Sequence, residues 1–220
     1  MKRFYLLILC VGFAVQLFSQ QSDINKYSVE IKEINNPELE WSQFDNDNSE
    51  CKFRKNVLEL ECKKDEWIAC TTAELEFDAS NVDFILKFQL EPEKLDDKHP
   101  FGIVYDYKNI KNFHALCFGK KQFQLLSYEG GEEAVVKEGL YKLSNKKQVL
   151  VSILKKGKRL DFYVGPQHLP LTAVRNSEIQ HSNVGFYVKN KTKIKLTGFG
   201  YYLLLDENEI DKDENEIDIE

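Results

Sequence analysis

Phe101-Gly102-Ile103-Val104-Tyr105-Asp106-Tyr107, followed after a charged gap by Phe113-His114-Ala115-Leu116-Cys117-Phe118, decides the fold class. Both runs are short, rich in aromatic and β-branched residues, and bounded by turn-forming residues, which is how strands read rather than helices. The pattern continues to residue 205 through 122–128, 133–137, 148–155, 159–164, 183–188 and 193–205, separated by Gly119, Gly130-Gly131, Gly157 and Gly165-Pro166. Upstream, Val57-Leu58-Glu59-Leu60-Glu61-Cys62 alternates with period two. Leu58, Leu60 and Cys62 then share a buried face, and the two glutamates face solvent. Residues 67–72, 75–77 and 82–90 extend the series. About a dozen short strands at this spacing predict an all-β, two-sheet sandwich or barrel. The charged, proline-bounded segment 91–100 is expected to be an exposed connection.

The N-terminus sets the expected compartment. Lys2 and Arg3 precede an apolar run over 6–18 and then Ser19, Gln20, Gln21 and Ser22, which reads as a secretory signal peptide over 1–20. The run falls short of the ~20 apolar residues of a membrane span. Cys10 sits where a lipid-modified cysteine would, but Leu9 precedes it where a small residue is expected. The expected organisation is a signal peptide, a polar lead-in over 21–40, one sandwich domain over 41–205 and an acidic tail over 206–220. The product is expected to be secreted, extracellular or periplasmic, with no membrane insertion after cleavage.

Residues 21–205 carry 27 acidic and 27 basic side chains, while 206–220 carry nine acidic residues and one lysine. A neutral body lacks the clustered Lys and Arg that neutralise phosphates, which argues against nucleic acid as a partner and against electrostatic docking on anionic membranes. The near repeat Asp-Glu-Asn-Glu-Ile-Asp at 206–211 and 213–218 holds too little apolar surface to pack. Cys51, Cys62, Cys70 and Cys117 allow three disulfide pairings in an exported chain. Because Cys62 continues the face of Leu58 and Leu60, buried thiols acting as small hydrophobes are an equal alternative.

The runs Gly102-Ile103-Val104-Tyr105-Asp106-Tyr107, Lys111-Asn112-Phe113-His114-Ala115, Gly157-Lys158-Arg159-Leu160-Asp161-Phe162-Tyr163-Val164 and Val184-Gly185-Phe186-Tyr187-Val188 resemble the concanavalin A-like, laminin-G-like jelly-roll domains of secreted bacterial proteins. The resemblance covers most of 41–205. It departs after Val164, where Gly165-Pro166-Gln167-His168 replaces the family's Asn-Gly hairpin. It implies two antiparallel sheets face to face, one of them often concave and able to receive glycans or polymeric ligands.

Strand alternation sets Leu160, Phe162 and Val164 against Asp161 and Tyr163, and Tyr187 against Val184, Phe186 and Val188. A solvent-facing aromatic sheet is therefore expected to bind extracellular carbohydrate without catalysis, using Asp106, Tyr107, His114, Tyr128, Tyr163 and Tyr187. A tyrosine ring offers a flat apolar face and a hydroxyl at low entropic cost. The plainer reading is that these tyrosines satisfy strand propensity and cover the sheet. Two rival functions stay open: a sugar-processing hydrolase on the same fold, and a structural or adhesive module contacting a cell-surface protein.

No catalytic residue is assigned. Glu209, Asp211 and Glu214, and then Glu216, Asp218 and Glu220, match the spacing of paired glycosidase carboxylates, but they lie in the acidic tail. Glu74, Glu76 and Asp78 read as the wet side of a strand, and no Gly-x-Ser-x-Gly elbow occurs. No cofactor or metal is assigned either. Asp45-Asn46-Asp47-Asn48-Ser49-Glu50 alternates oxygen ligands, yet Glu50 and Asn56 stand where an EF-hand needs glycine and glutamate. The segment is expected to be a solvated turn, with a structural calcium as the alternative.

Overall fold

The computed structural model describes residues 39–143, 148–165, 167–169 and 179–204. The signal peptide, most of the lead-in, the acidic tail and its carboxylate motifs lie outside the described residues. Among the described residues every regular element is a strand: β1 (Phe44–Asp45), β2 (Ser49–Arg54), β3 (Val57–Cys62), β4 (Ile68–Glu74), β5 (Asp83–Pro92), β6 (Phe101–Asn109), β7 (Asn112–Phe118), β8 (Gln122–Glu129), β9 (Glu132–Leu140), β10 (Val149–Lys156), β11 (Arg159–Val164), β12 (Gln167–His168), β13 (Asn183–Lys189) and β14 (Thr192–Leu204). They form two antiparallel sheets in the orders β1-β2-β3-β14-β5-β10-β11-β12 and β4-β13-β6-β7-β8-β9. The all-β sandwich expected from the sequence is the fold found. Residues 75–77, expected to be a strand, instead run into a loop, and β1, β2 and β12 are strands that alternation did not reveal.

The core lies between the sheets and is built from alternate positions. On β5, Phe84, Leu86, Phe88 and Leu90 point inward, and on β11 Leu160, Phe162 and Val164 do the same. Trp41 wedges between the layers, its ring 5.9 Å from Phe186 of one sheet and 5.6 Å from Phe199 of the other. β14 shows how a long strand keeps its face. Ile194 and Leu196 point inward, and so do Phe199, Tyr201 and Leu203, although the two sets differ in parity. The register shifts by one between Leu196 and Gly198, so Thr197 is the extra residue of a bulge. Gln89 Nε2 donates to Thr197 Oγ1 at 3.1 Å and Thr197 Oγ1 donates to the Gln89 carbonyl at 3.2 Å, which fixes the bulge in place.

The six-stranded sheet curls strongly. β13 and β9 are four strand steps apart, which is about 19 Å in a flat sheet. Lys189 on β13 nevertheless reaches Glu133 on β9 at 2.9 Å. The curl gathers Val104, Phe113, Ala115, Cys117, Leu126, Tyr128 and Tyr187 into a second apolar cluster on the face away from the core. Gly102 makes room for it, because a Cβ there would lie 3.0 Å from the Tyr187 ring and 2.0 Å from the Leu116 carbonyl oxygen.

Two local expectations are answered by hydrogen bonds. In the 45–50 turn, Asn46 Oδ1 accepts from the backbone of Asn48 and Ser49, and the Asp45 carboxylate takes the Lys63 ammonium at 2.7 Å. The segment is thus an Asx turn held by its own donors. The 91–100 connection is fastened rather than loose: Asp96 Oδ1 accepts from Lys98 N and His99 N, and Asp97 Oδ1 accepts from Lys120 N at 2.7 Å. Cys51, Cys62, Cys70 and Cys117 are all free thiols. Cys51 and Cys62 pack in the interlayer core as small hydrophobes, so none of the three pairings is formed.

Candidate functional site

The end of the sandwich where β6 stops is organised by one carboxylate. After Tyr105 the β6–β7 register breaks, and Asp106 adopts a left-handed backbone with φ 49°, a conformation aspartate tolerates better than most residues. Its side chain is thereby turned toward the chain entering β13. Asp106 Oδ1 accepts from Gln180 N and His181 N, both at 2.8 Å, and lies 3.0 Å from His181 Nδ1. Because a carboxylate only accepts, that ring nitrogen is the donor. Asp106 Oδ2 faces His114 Nε2 at 3.8 Å. His114 stacks on Tyr105, whose ring meets Phe162 of the opposite sheet at 5.6 Å, so this cluster sits at the rim of the interlayer core.

The pinned segment 179–183 separates two clefts. One, of about 610 Å³, has Ser80, Asn81, Asp83, Lys155, Lys158 and Gln180 as its polar lining and Leu160 and Ile179 as its apolar floor. Lys155 occupies an inward position on β10 and is buried. Its ammonium donates to the Val82 carbonyl at 2.7 Å, lies 3.8 Å from Asp83 Oδ1 and stands 5.8 Å from the centre of the Phe84 ring. Asp83 also accepts from Gly157 N at 2.6 Å, tying the β10–β11 turn to the start of β5. The other cleft, of about 690 Å³, is lined by Glu40, Glu74, Glu76 and Asp78 with Ser182 and Asn183. Hydrogen bonds from Ser80 and Asn81 hold the Asp78 carboxyl below its usual range, which suits a structural anion and not a general acid. Both volumes fall within the ~300–1,000 Å³ of small-ligand sites.

No family model matches the chain, and no curated protein matches it by sequence. Its fold, however, recurs among solved structures. The carbohydrate-binding module CBM66 from Bacillus subtilis superposes with a TM-score of 0.57 at 11% identity, over 72% of this chain and 92% of its own length. A sialidase superposes at 0.56 with 10% identity, over 79% of this chain and 18% of its own. A xylan β-1,4-xylosidase from Bacillus halodurans C-125 superposes at 0.54 with 14% identity, over 78% of this chain and 38% of its own. The chain is a β-sandwich of jelly-roll type. It spans nearly all of the binding module but well under half of the two larger proteins.

The structure corrects the expected tyrosine surface. Alternation assigned the faces properly: Tyr163 opposes Leu160, Phe162 and Val164, and Tyr187 opposes Val184, Phe186 and Val188. The two rings nevertheless lie on different sheets, each on the face away from the core, and so on opposite sides of the sandwich. Nor do they face solvent. Tyr163 is 2% exposed beside Ile85 and Leu154, and Tyr187 is fully buried in the curl of the six-stranded sheet. Tyr128 is 4% exposed, stacked on Phe113 at 4.2 Å and bonded through its hydroxyl to Glu133. Burial pushes all three phenols of the curled face upward, that of Tyr107 to about 12.

Of the six residues expected to bind, the fold brings Asp106 and His114 together at the rim. It joins Tyr107 and Tyr128 through Phe113 on the curled face, and of these Tyr107 alone is half-exposed. Five residues at the loop end were not foreseen: Ser80, Asn81, Gln180, His181 and Lys155. Lys155 did leave a trace, because it continues the inward series Val149, Val151 and Ile153, and a lysine at a core-parity position marks a strand end that opens into polar surroundings. For Gln180 and His181 the sequence holds no comparable signal, since a loop contact 75 residues from Asp106 has no periodicity.

Proposed function

We propose that this chain is an exported, non-catalytic glycan-binding module of the concanavalin A-like, laminin-G-like kind, and that its ligand seats in the cleft at the loop end of the sandwich. The observation that carries the reading is the pairing of amide and hydroxyl groups with an apolar floor in one cleft of about 610 Å³. Asn81 and Gln180 each offer a donor and an acceptor, which matches the neighbouring hydroxyls of a sugar ring, and Ser80 Oγ, whose proton goes to Asp78, adds an acceptor. Leu160 and Ile179, buried at the rim of the core, close the bottom of the cleft with apolar atoms. Asp106 contributes by positioning: it holds the backbone of Gln180 and His181, so the amide side chain starts from a fixed wall. The carbohydrate-binding name of the CBM66 neighbour supports the class of ligand. The Asp78 carboxyl, held below its usual range by Ser80 and Asn81, supports binding over hydrolysis.

A glycan array probed with and without calcium identifies the ligand, and titration of Gln180→Ala and Asn81→Ala against that ligand tests the site. Each variant should weaken binding about tenfold or more, the loss of one or two buried hydrogen bonds. Tyr163→Phe, on the far face, should leave it unchanged. Full affinity in both cleft variants would move the ligand elsewhere.

A further inference from the structure

The cleft beside the β10–β11 turn holds a buried ammonium that its surroundings only partly satisfy. Lys155 is 4% exposed, and lysine is seldom buried that far unless it is paired. Its ammonium has three protons to donate. The Val82 carbonyl takes one at 2.7 Å, and no described residue accepts either of the others. Asp83 Oδ1 stands 3.8 Å away, beyond hydrogen-bond distance, and is itself taken by Gly157 N at 2.6 Å. The Phe84 ring, 5.8 Å from the ammonium, adds a weak cation–π contact and no acceptor. Lys158 lines the same cleft, so two lysines face the single carboxylate of Asp83, in a chain whose net charge is −6 at pH 7. Taking an ammonium out of water without a full set of partners is unfavourable, and an anion seated in the cleft offsets that penalty.

We infer that the ligand of this cleft is a sugar acid, its carboxylate received by Lys155 from the buried side and by Lys158 from the exposed turn. The inference rests on the cleft being the glycan site and narrows the class of glycan. A carboxylate brings two oxygens to the two unused ammonium protons, and charge-assisted hydrogen bonds of this kind are stronger than neutral ones. Asn81 and Gln180 then meet the neighbouring hydroxyls. A neutral sugar gains those amide contacts alone and leaves the Lys155 ammonium as it stands, so charge is what sets the preference. Two kinds of sugar share this chemistry, a hexuronate and a sialyl residue.

Calorimetric titration of the full chain with trigalacturonate, its methyl ester, sialyllactose and lactose tests the inference and separates the two sources. One of the acids should bind, and its neutral counterpart should bind about tenfold or more weakly, the loss of charged hydrogen bonds to Lys155. Raising salt from about 0.05 to 0.5 M should weaken the acid and leave the neutral counterpart unchanged. Lys155→Met keeps the length of the side chain and should erase the preference for the acid. It also strips the Val82 carbonyl of its donor, so thermal unfolding is followed in parallel. Lys158→Ala lies on an exposed turn, where the fold is not at stake, and should reduce the preference about threefold. Three results would each overturn the sugar acid while leaving the cleft as the glycan site: equal binding of an acid and its neutral counterpart, a preference unchanged in both lysine variants, or neither acid bound while neutral glycans are retained on the array and lost in Gln180→Ala. No glycan retained at all would overturn both readings.

Discussion

Lys189 Nζ and Glu133 Oε2 lie 2.9 Å apart although three strands separate β13 from β9. Glu133 also receives the Tyr128 hydroxyl, so one carboxylate straps the curled sheet closed over its aromatic cluster. Burial pushes the Glu133 carboxyl up, but the hydrogen bonds from Lys189 and Tyr128 and the lysine's charge together hold it below its ordinary 4.5. A carboxyl depressed in the folded state contributes stability that is present above its unfolded value and is lost as pH falls through its folded value. The window is therefore below about pH 4.5. Glu133→Gln should cost on the order of 0.5 kcal/mol at pH 7, as partly exposed ion pairs do, and the gap to wild type should narrow as pH falls below about 4.5. Urea unfolding of both proteins across that range measures it, and a gap that widens in acid would contradict the strap.

The Tyr187 hydroxyl lies beside Cys117 but is buried with no hydrogen-bond partner among the described residues. A buried orphan hydroxyl is a cost of about 1–3 kcal/mol, so removing it should not destabilise. Tyr187→Phe is expected to unfold at the same or a higher temperature than wild type. A loss beyond about 1 kcal/mol would mean that the hydroxyl has a partner after all.

Asp106→Ala removes the acceptor for two backbone N–H groups and an imidazole. A loss of about 2–3 kcal/mol is expected, with faster hydrogen exchange at the Gln180 and His181 amides. Asp106→Asn keeps an acceptor and a residue that tolerates the left-handed backbone, so it should lose less than half as much. Equal losses in the two variants would assign the effect to charge and not to the pin.

Deleting Thr197 removes the bulge in β14 and sends Phe199, Tyr201 and Leu203 to the solvent face. The deletion should abolish cooperative unfolding. Thr197→Ala keeps the residue count and should cost only about 1 kcal/mol for its hydrogen bonds to Gln89.

Burial raises the thiols of Cys51 and Cys117 to about 11 and pushes Cys70 up further. None of these three should react quickly with an aromatic disulfide reagent at pH 8 in the native protein, because the thiolate is the nucleophile. In urea all three should become titratable. Rapid native labelling of Cys51 or Cys117 would show that the sandwich opens locally.

Period-two alternation at Val57–Cys62, Arg159–Val164 and 183–188 was enough to give the fold class and to say which side chains share a face. That is a local property, since successive Cβ atoms on a strand point oppositely wherever the strand lies. Alternation carries no information about which sheet a strand joins or what covers its second face. Tyr163 and Tyr187 look equivalent in sequence, yet strand order puts them on opposite sides of the sandwich, and the curl measured by Lys189 and Glu133 buries Tyr187. The loop-end cluster of Asp106, His114, Gln180 and His181 is likewise a product of tertiary structure, because it depends on a left-handed residue at a register break and on contacts between segments far apart in the chain. The sequence by itself determined most of the strands, their inward faces and the neutral charge balance of the body. Sheet order, curvature and the pinning of one loop by one carboxylate were decided only when distant strands paired.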